Sequence, residues 1–224
     1  MKKLSFTLLA SFVLMMLFII ISGGRGYTKD NFNVKTQTMI QKEEYYYANL
    51  SDSVVQIFAN RENANSFGSG FFINNDKYVV TNFHVVKDAK KMYVMLKEGQ
   101  YAYEAKLFAF DSQNDIAILK MNSEIKHNYL PLTTDSKKND NVYTCGFATN
   151  YTVSSGKVMD TNAPYKDNYY IDISNIVYCG NSGGPALNEK GEVIGIVTLG
   201  NSVSTSLGPT YKLCNLVNNS KISI

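Results

Sequence analysis

From Val54 to Leu199 the chain is punctuated by short apolar runs rich in Val, Ile, Tyr and Phe, most of them bounded by Gly, Asn or Asp. They cover Val54 to Ala59, Gly70 to Ile73, Tyr78 to Thr81, Met92 to Leu96, Ala102 to Phe110, Ile116 to Met121, Val142 to Gly146, Tyr169 to Ile173 and Val193 to Leu199. Short runs dense in β-branched and aromatic residues predict strands rather than helices. Asn74-Asn75-Asp76, Glu98-Gly99 and Glu189-Lys190-Gly191 read as the turns between them. Regularly spaced strands separated by turn signals predict an all-β sandwich or barrel. About 175 residues is enough for a proper core, since a domain of that order buries roughly 70% of its unfolded surface.

The N-terminus breaks this pattern. Lys2-Lys3 precedes an almost uninterrupted apolar run from Leu4 to Ile21, and Ser22-Gly23-Gly24 supplies small residues for cleavage after Gly24. Basic residues, an apolar stretch and small residues in that order are the parts of a secretory signal. The run is longer than a usual signal core and approaches the roughly 20 residues that span a bilayer, so residues 1–24 read as a signal peptide or a signal anchor. In either case the remainder is expected to be exported: secreted, periplasmic or held outside the cytoplasm by residues 4–21. Residues 25–48 are polar and read as a tether.

Charge adds little. The formal net charge is +3, of which Lys2 and Lys3 supply two units. No basic surface for nucleic acid is expected, and Lys87 to Lys91 and Lys137-Lys138 read as solvated edges. The three cysteines, Cys145, Cys179 and Cys214, allow at most one internal disulfide and match no zinc spacing, so they read as buried small apolar side chains. No metal and no cofactor is expected.

The candidate chemistry lies in three strings: Thr81-Asn82-Phe83-His84-Val85-Val86, Asn114-Asp115-Ile116-Ala117-Ile118-Leu119 and Gly180-Asn181-Ser182-Gly183-Gly184-Pro185. A hydroxyl is a weak nucleophile at neutral pH and needs an imidazole to take its proton. A carboxylate on the other ring nitrogen fixes the tautomer and stabilises the imidazolium. His84, Asp115 and Ser182 fit base, acid and nucleophile. Main-chain N–H groups of Gly180 and Ser182 would hold the developing oxyanion, with glycines admitting the substrate closely. The serine string also fits the G-x-S-x-G elbow of α/β-hydrolases, but that fold needs a histidine after the serine, and both histidines, His84 and His127, precede Ser182. A subtilisin-type order using Asp115, His127 and Ser182 is formally open, yet the chain shows few helical patterns. The order His, Asp, Ser is that of the chymotrypsin type.

From Ser51 to about Val217 the chain resembles the protease domain of the HtrA/DegP-type, trypsin-like serine proteases. The resemblance is carried in register by Ser53 to Ile57, Gly68-Ser69-Gly70-Phe71-Phe72-Ile73, the His and Asp strings, Ser154-Ser155-Gly156-Lys157-Val158, the serine string and Gly191 to Ile196. It implies a double six-stranded β-barrel over residues 49–224, with a first barrel at about 49–125, a second at about 126–224, and a short C-terminal helix from Lys212. His84 and Asp115 would come from the first barrel and Ser182 from the second.

By the family register the primary pocket has its floor near Ile176 and walls from Thr198-Leu199-Gly200 and Gly208 to Tyr211. A floor without a carboxylate disfavours Arg or Lys before the scissile bond and favours small or medium apolar residues. Tyr178 and Cys179 depart from the Asn-Pro usual in HtrA relatives, which changes the pocket's shape. Asn181 stands where zymogen-type relatives carry an aspartate that pairs with a newly cut N-terminus, so activation by propeptide cleavage is not expected. The 42 residues after Ser182 are expected to complete the second barrel, and no PDZ domain is expected within them. The implied partners are protein or peptide substrates; a monomer and a trimer are both open.

Singly, each of these residues has a plainer reading: a histidine in an apolar context as packing, an aspartate before a strand as a turn. Their joint occurrence in order favours catalysis. His127 keeps the structural reading, and Ser154 and Ser155 read as edges of the second barrel. The rivals are a catalytically silent surface-binding protein of the same fold and a secreted glutamate-specific or exfoliative-toxin-like protease.

Overall fold

The structure, a computed structural model, describes residue 50 and residues 52–74, 77–96, 99–123, 126–200 and 203–223. The leader and tether expected over residues 1–48 lie outside the described residues, as does part of the turn at Asn74-Asn75-Asp76.

Six antiparallel strands close the first barrel: β1 (Val54–Asn60), β2 (Asn65–Phe72), β3 (Tyr78–Thr81), β4 (Lys91–Leu96), β5 (Tyr101–Asp111) and β6 (Ile116–Met121), in spatial order 1-2-3-6-5-4. A four-residue helix α1 (Phe83–Val86) follows β3. Six more close the second: β7 (Asn141–Phe147), β8 (Tyr151–Tyr165), β9 (Asn168–Ile173), β10 (Pro185–Leu187), β11 (Val193–Gly200) and β12 (Thr205–Pro209), in order 10-11-12-9-8-7. Helix α2 (Thr210–Asn219) ends the fold. It starts two residues before Lys212, directly after Pro209, whose extended backbone precedes the first turn.

Strand alternation explains how two barrels share one sequence. In β6, Ala117, Leu119 and Met121 fill the first barrel, while Ile116 and Ile118 face the seam between barrels. In β3 the split falls on adjacent residues, Val79 inward and Val80 to the seam. Both faces being buried, β6 is a nearly continuous apolar run rather than an alternating one. The seam also takes Phe71 and Ile73 from the first barrel, Phe147, Leu187 and Ile196 from the second, and Leu213 and Val217 from one face of α2. Val142, Val158, Ile171, Ile173 and Leu207 fill the second barrel. At roughly 1.5–3 kcal/mol per fully buried large aliphatic or aromatic side chain, this seam holds the barrels in fixed register.

Three strands carry little sequence signal. In β8 only Val158 is fully buried over fifteen residues, β10 has three residues beginning with proline, and β12 reads Thr-Ser-Leu-Gly-Pro. They are set by pairing with neighbours that are themselves well marked. Ser154 and Ser155 lie in β8, paired with Thr144 and Tyr143.

The cysteine expectation is corrected in part. All three are free thiols, but only Cys145 is buried; Cys179 is exposed and Cys214 half-buried. Cys179 sits in the surface loop between β9 and the serine turn. Burial pushes the Cys145 thiol up to about 12, which makes it chemically inert.

His127 stacks on Phe72 at 4.3 Å between ring centres and 2° between planes, and its Nε2 is buried without a hydrogen-bond partner among the described residues. Burial lowers its pKa, against an opposing pull from Asp52. The unfolded chain therefore binds more protons as pH falls through the ordinary imidazole value of about 6.5, and folding stability declines on acidification. His127→Phe, which keeps the stack and removes the titration, is expected to flatten melting temperature against pH between about 7 and about 5. A variant profile as steep as the parent's would place the acid sensitivity elsewhere.

Candidate active site

Helix α1 presents His84 at the rim of the first barrel because its neighbours Val85 and Val86 are pulled into the barrel interior. The His84 side chain is half exposed, and Asp115, just before β6, meets it twice. The Asp115 carboxylate accepts from the His84 main-chain N–H through Oδ1 at 2.8 Å and pairs with His84 Nδ1 through Oδ2 at 2.6 Å. A proton on Nδ1 directed at the carboxylate would leave the lone pair on Nε2.

The backbone of Asp115 is itself held in a sparsely populated conformation, φ 56°. The Asp111 carboxylate accepts from the N–H groups of Gln113 and Asn114 and from the Asn114 side chain, which winds the turn just ahead of Asp115. Fully buried Asn82 donates through Nδ2 to the Asp115 carbonyl at 2.9 Å and to Thr198 Oγ1 at 3.2 Å, tying the acid to the second barrel. Across the opposite side, Asn168 donates to the Gln113 carbonyl at 3.0 Å and accepts from Lys212 Nζ of α2.

Ser182 sits on a turn between left-handed glycines, Gly180 at φ 101° and Gly183 at φ 88°. A Cβ on Gly183 would lie 2.3 Å from the Ser69 carbonyl, so no other residue fits. The turn is fixed by bonds from Asn181 N–H to Tyr178, Gly183 N–H to Val197 and Gly184 N–H to Asn181. Among the described residues, the N–H groups of Gly180 and Ser182 donate to no backbone carbonyl. The Asn181 side chain is buried, its Oδ1 unpartnered among the described residues.

Ser69, fully buried in β2, joins the two barrels here. Its N–H donates to the Ser182 carbonyl at 2.8 Å, its Oγ donates to the Gly180 carbonyl at 2.7 Å and accepts from Phe147 N–H at 2.8 Å, and Thr81 Oγ1 donates to its carbonyl at 2.7 Å. A Cβ on the preceding Gly68 would lie 2.8 Å from Val85 and 3.0 Å from the Ser182 carbonyl, so a bare backbone lets the serine turn close against the helix that carries His84. Gly68-Ser69-Gly70 is a landmark of the sequence, but no role for Ser69 is expected from it; its signal is a small polar residue between glycines just before the apolar run Phe71-Phe72-Ile73.

Ile176 and Leu199 are exposed and Thr198 is buried beside Asn82. Leu199 and Gly200 form one wall of a cavity of about 400 Å³ whose lining includes Tyr165, Asp172 and Ser206. Among the described residues no group of three His, Cys, Asp or Glu side chains could hold a metal ion.

Residues 68–196 match the trypsin-like peptidase domain. The chain belongs to the trypsin-like peptidase family. Within that family it is similar to HtrA/DegP proteins. It is 39% identical over 140 residues to a probable periplasmic serine endoprotease, DegP-like, of Rhizobium meliloti (strain 1021), a match covering 58% of this chain and 27% of that protein. It is 39% identical over 151 residues to serine protease HTRA1B of Danio rerio, covering 62% of this chain and 32% of that protein. It is 38% identical over 153 residues to the mitochondrial serine protease HTRA2 of Bos taurus, covering 63% and 33%. The matched region is thus about a third or less of each of these relatives' length. The double barrel expected from sequence is the fold observed, and the homology of this trypsin-like peptidase domain is to serine endoproteases.

Proposed function

We propose that the protein is a serine endopeptidase in which Ser182 attacks the scissile carbonyl, His84 takes and returns the proton, and Asp115 holds the imidazole. The observation that carries this reading is the double hydrogen bond of Asp115 to His84, at 2.8 and 2.6 Å, beside a serine turn that Ser69 ties to the same barrel. Attack gives a tetrahedral oxyanion received by the N–H groups of Gly180 and Ser182, then an acyl-enzyme that water opens by the same proton path. Asn181 cannot form the ion pair that a new N-terminal amine would make with a carboxylate, so the turn is organised without propeptide cleavage.

The substrates proposed are exported or misfolded proteins, cut after small or medium apolar residues at a pocket built around Ile176, Thr198, Leu199 and Gly200. Support for export comes from the leader-like residues 1–24 and from the periplasmic relatives; among the described residues no helix is long and apolar enough to cross a membrane. A peptide-library digest by the full chain tests the specificity. Cleavage dominated by Ala, Val, Thr or Leu before the scissile bond is the expected profile; dominant cutting after Arg, Lys or Glu would contradict it.

A further inference from the structure

Arg61 lies just past β1, at the start of the β1–β2 turn, 23 residues from His84 in sequence. Its guanidinium turns back onto α1. Nη2 donates to the His84 carbonyl at 2.6 Å and to the Val85 carbonyl at 3.2 Å.

The helix cannot satisfy those two carbonyls itself. A four-residue helix leaves its last carbonyls without the partner four residues on. Here Lys87 N–H reaches Phe83 and Ala89 N–H reaches Val86, while Asp88, at φ 59°, turns the chain away. Among the described residues no backbone N–H reaches His84 or Val85 oxygen beyond this, and Arg61 supplies the donors. A cation at this end also interacts favourably with the partial negative charge of the terminal carbonyls.

The arm that delivers Arg61 is braced. Arg61 N–H donates to Ala64 at 3.1 Å, Asn60 Nδ2 to Asn65 Oδ1 at 3.0 Å, and Lys90 N–H, from the segment leaving α1, to the Asn60 carbonyl at 2.8 Å. The Lys90–Glu62 ion pair alongside is exposed at both ends and contributes little. Arg61 Nε is buried, with no hydrogen-bond partner among the described residues, so this part of the guanidinium is packed against the protein.

We infer that Arg61 is the positioning residue of His84, pinning the carbonyl side of that residue while Asp115 pins its N–H side. The inference rests on the reading of His84 as the base. With both peptide groups of His84 anchored, the ring leaves a fixed Cα in a fixed direction. Releasing one anchor displaces the ring, and a misplacement of about 1 Å costs on the order of 100-fold in rate.

The test compares the full chain with Arg61→Ala, Arg61→Gln and Arg61→Lys by two readouts. One is the rate of Ser182 phosphonylation by a fluorophosphonate, which releases fluoride, together with kcat and KM on casein; the other is the NMR resonance of the His84 Nδ1 proton bonded to Asp115. Arg61→Ala and Arg61→Gln are expected to lower phosphonylation and kcat by about 10- to 100-fold with KM nearly unchanged. Both should also broaden the Nδ1 resonance by solvent exchange. Arg61→Lys, which can reach one carbonyl, should recover part of both. Variants that melt earlier yet keep the parent's phosphonylation rate and resonance would reduce Arg61 to a stability contact and overturn the inference. If the parent itself is not phosphonylated, the functional reading fails, while the Nδ1 resonance still decides the role of Arg61.

Discussion

Ser182→Ala and His84→Ala are each expected to lower kcat on casein by about 10⁶-fold, and the double variant to be no worse than either alone. In the proposed mechanism the two groups perform one step. Without the hydroxyl there is no acyl-enzyme; without the imidazole the hydroxyl keeps its proton and stays a poor nucleophile. What remains is the small acceleration given by substrate binding and by the N–H groups of Gly180 and Ser182, which neither substitution removes. Initial rates of purified single and double variants measure this. Additive losses, with the double variant falling by the product of the two, would mean that the residues act independently and are not base and nucleophile.

Asp115→Asn should cost about 10⁴-fold in kcat while leaving KM nearly unchanged. The carboxylate uses both oxygens on one residue, Oδ1 for the His84 main-chain N–H and Oδ2 for Nδ1. A carboxamide has only one acceptor oxygen. If that oxygen keeps the main-chain N–H, the NH₂ group faces Nδ1 and forces the ring proton onto Nε2, the atom that must be free to accept. If it turns to Nδ1 instead, the NH₂ group opposes the main-chain N–H. Either orientation breaks one of the two bonds, in a turn already wound around Asp111. Steady-state kinetics on peptide and casein decide the matter; a loss under tenfold would remove Asp115 from the mechanism.

What could be read from sequence followed from where the physics is local. Strands such as Tyr78–Thr81 and Ile116–Met121 were legible to the residue, because burial on both faces demands an apolar run. Strands β8, β10 and β12 were not, because ladder pairing to marked neighbours defines them: β8 is mostly exposed and tolerates Ser, Lys and Asp, while β10 and β12 are short and carry proline. Helix α1 is too short to leave a periodic signature. The candidate site was legible as three strings whose residue types a serine mechanism requires. Its supports were not: Ser69, Asn82, Asn168 and Arg61 act through hydrogen bonds to main chain far away in sequence, and Lys212 through the Asn168 side chain and the Tyr169 carbonyl, which no local pattern encodes. The exposed Cys179 shows the same limit, since residue type predicted burial and loop position decided otherwise.

The most direct test is intact-mass analysis of the purified full chain after treatment with a fluorophosphonate, alongside Ser182→Ala and His84→Ala. A single adduct on the parent, mapped to Ser182 and lost in both variants, is the predicted result. A folded parent that takes no adduct, or one whose adduct persists in Ser182→Ala, would contradict the assignment of Ser182 as an activated nucleophile.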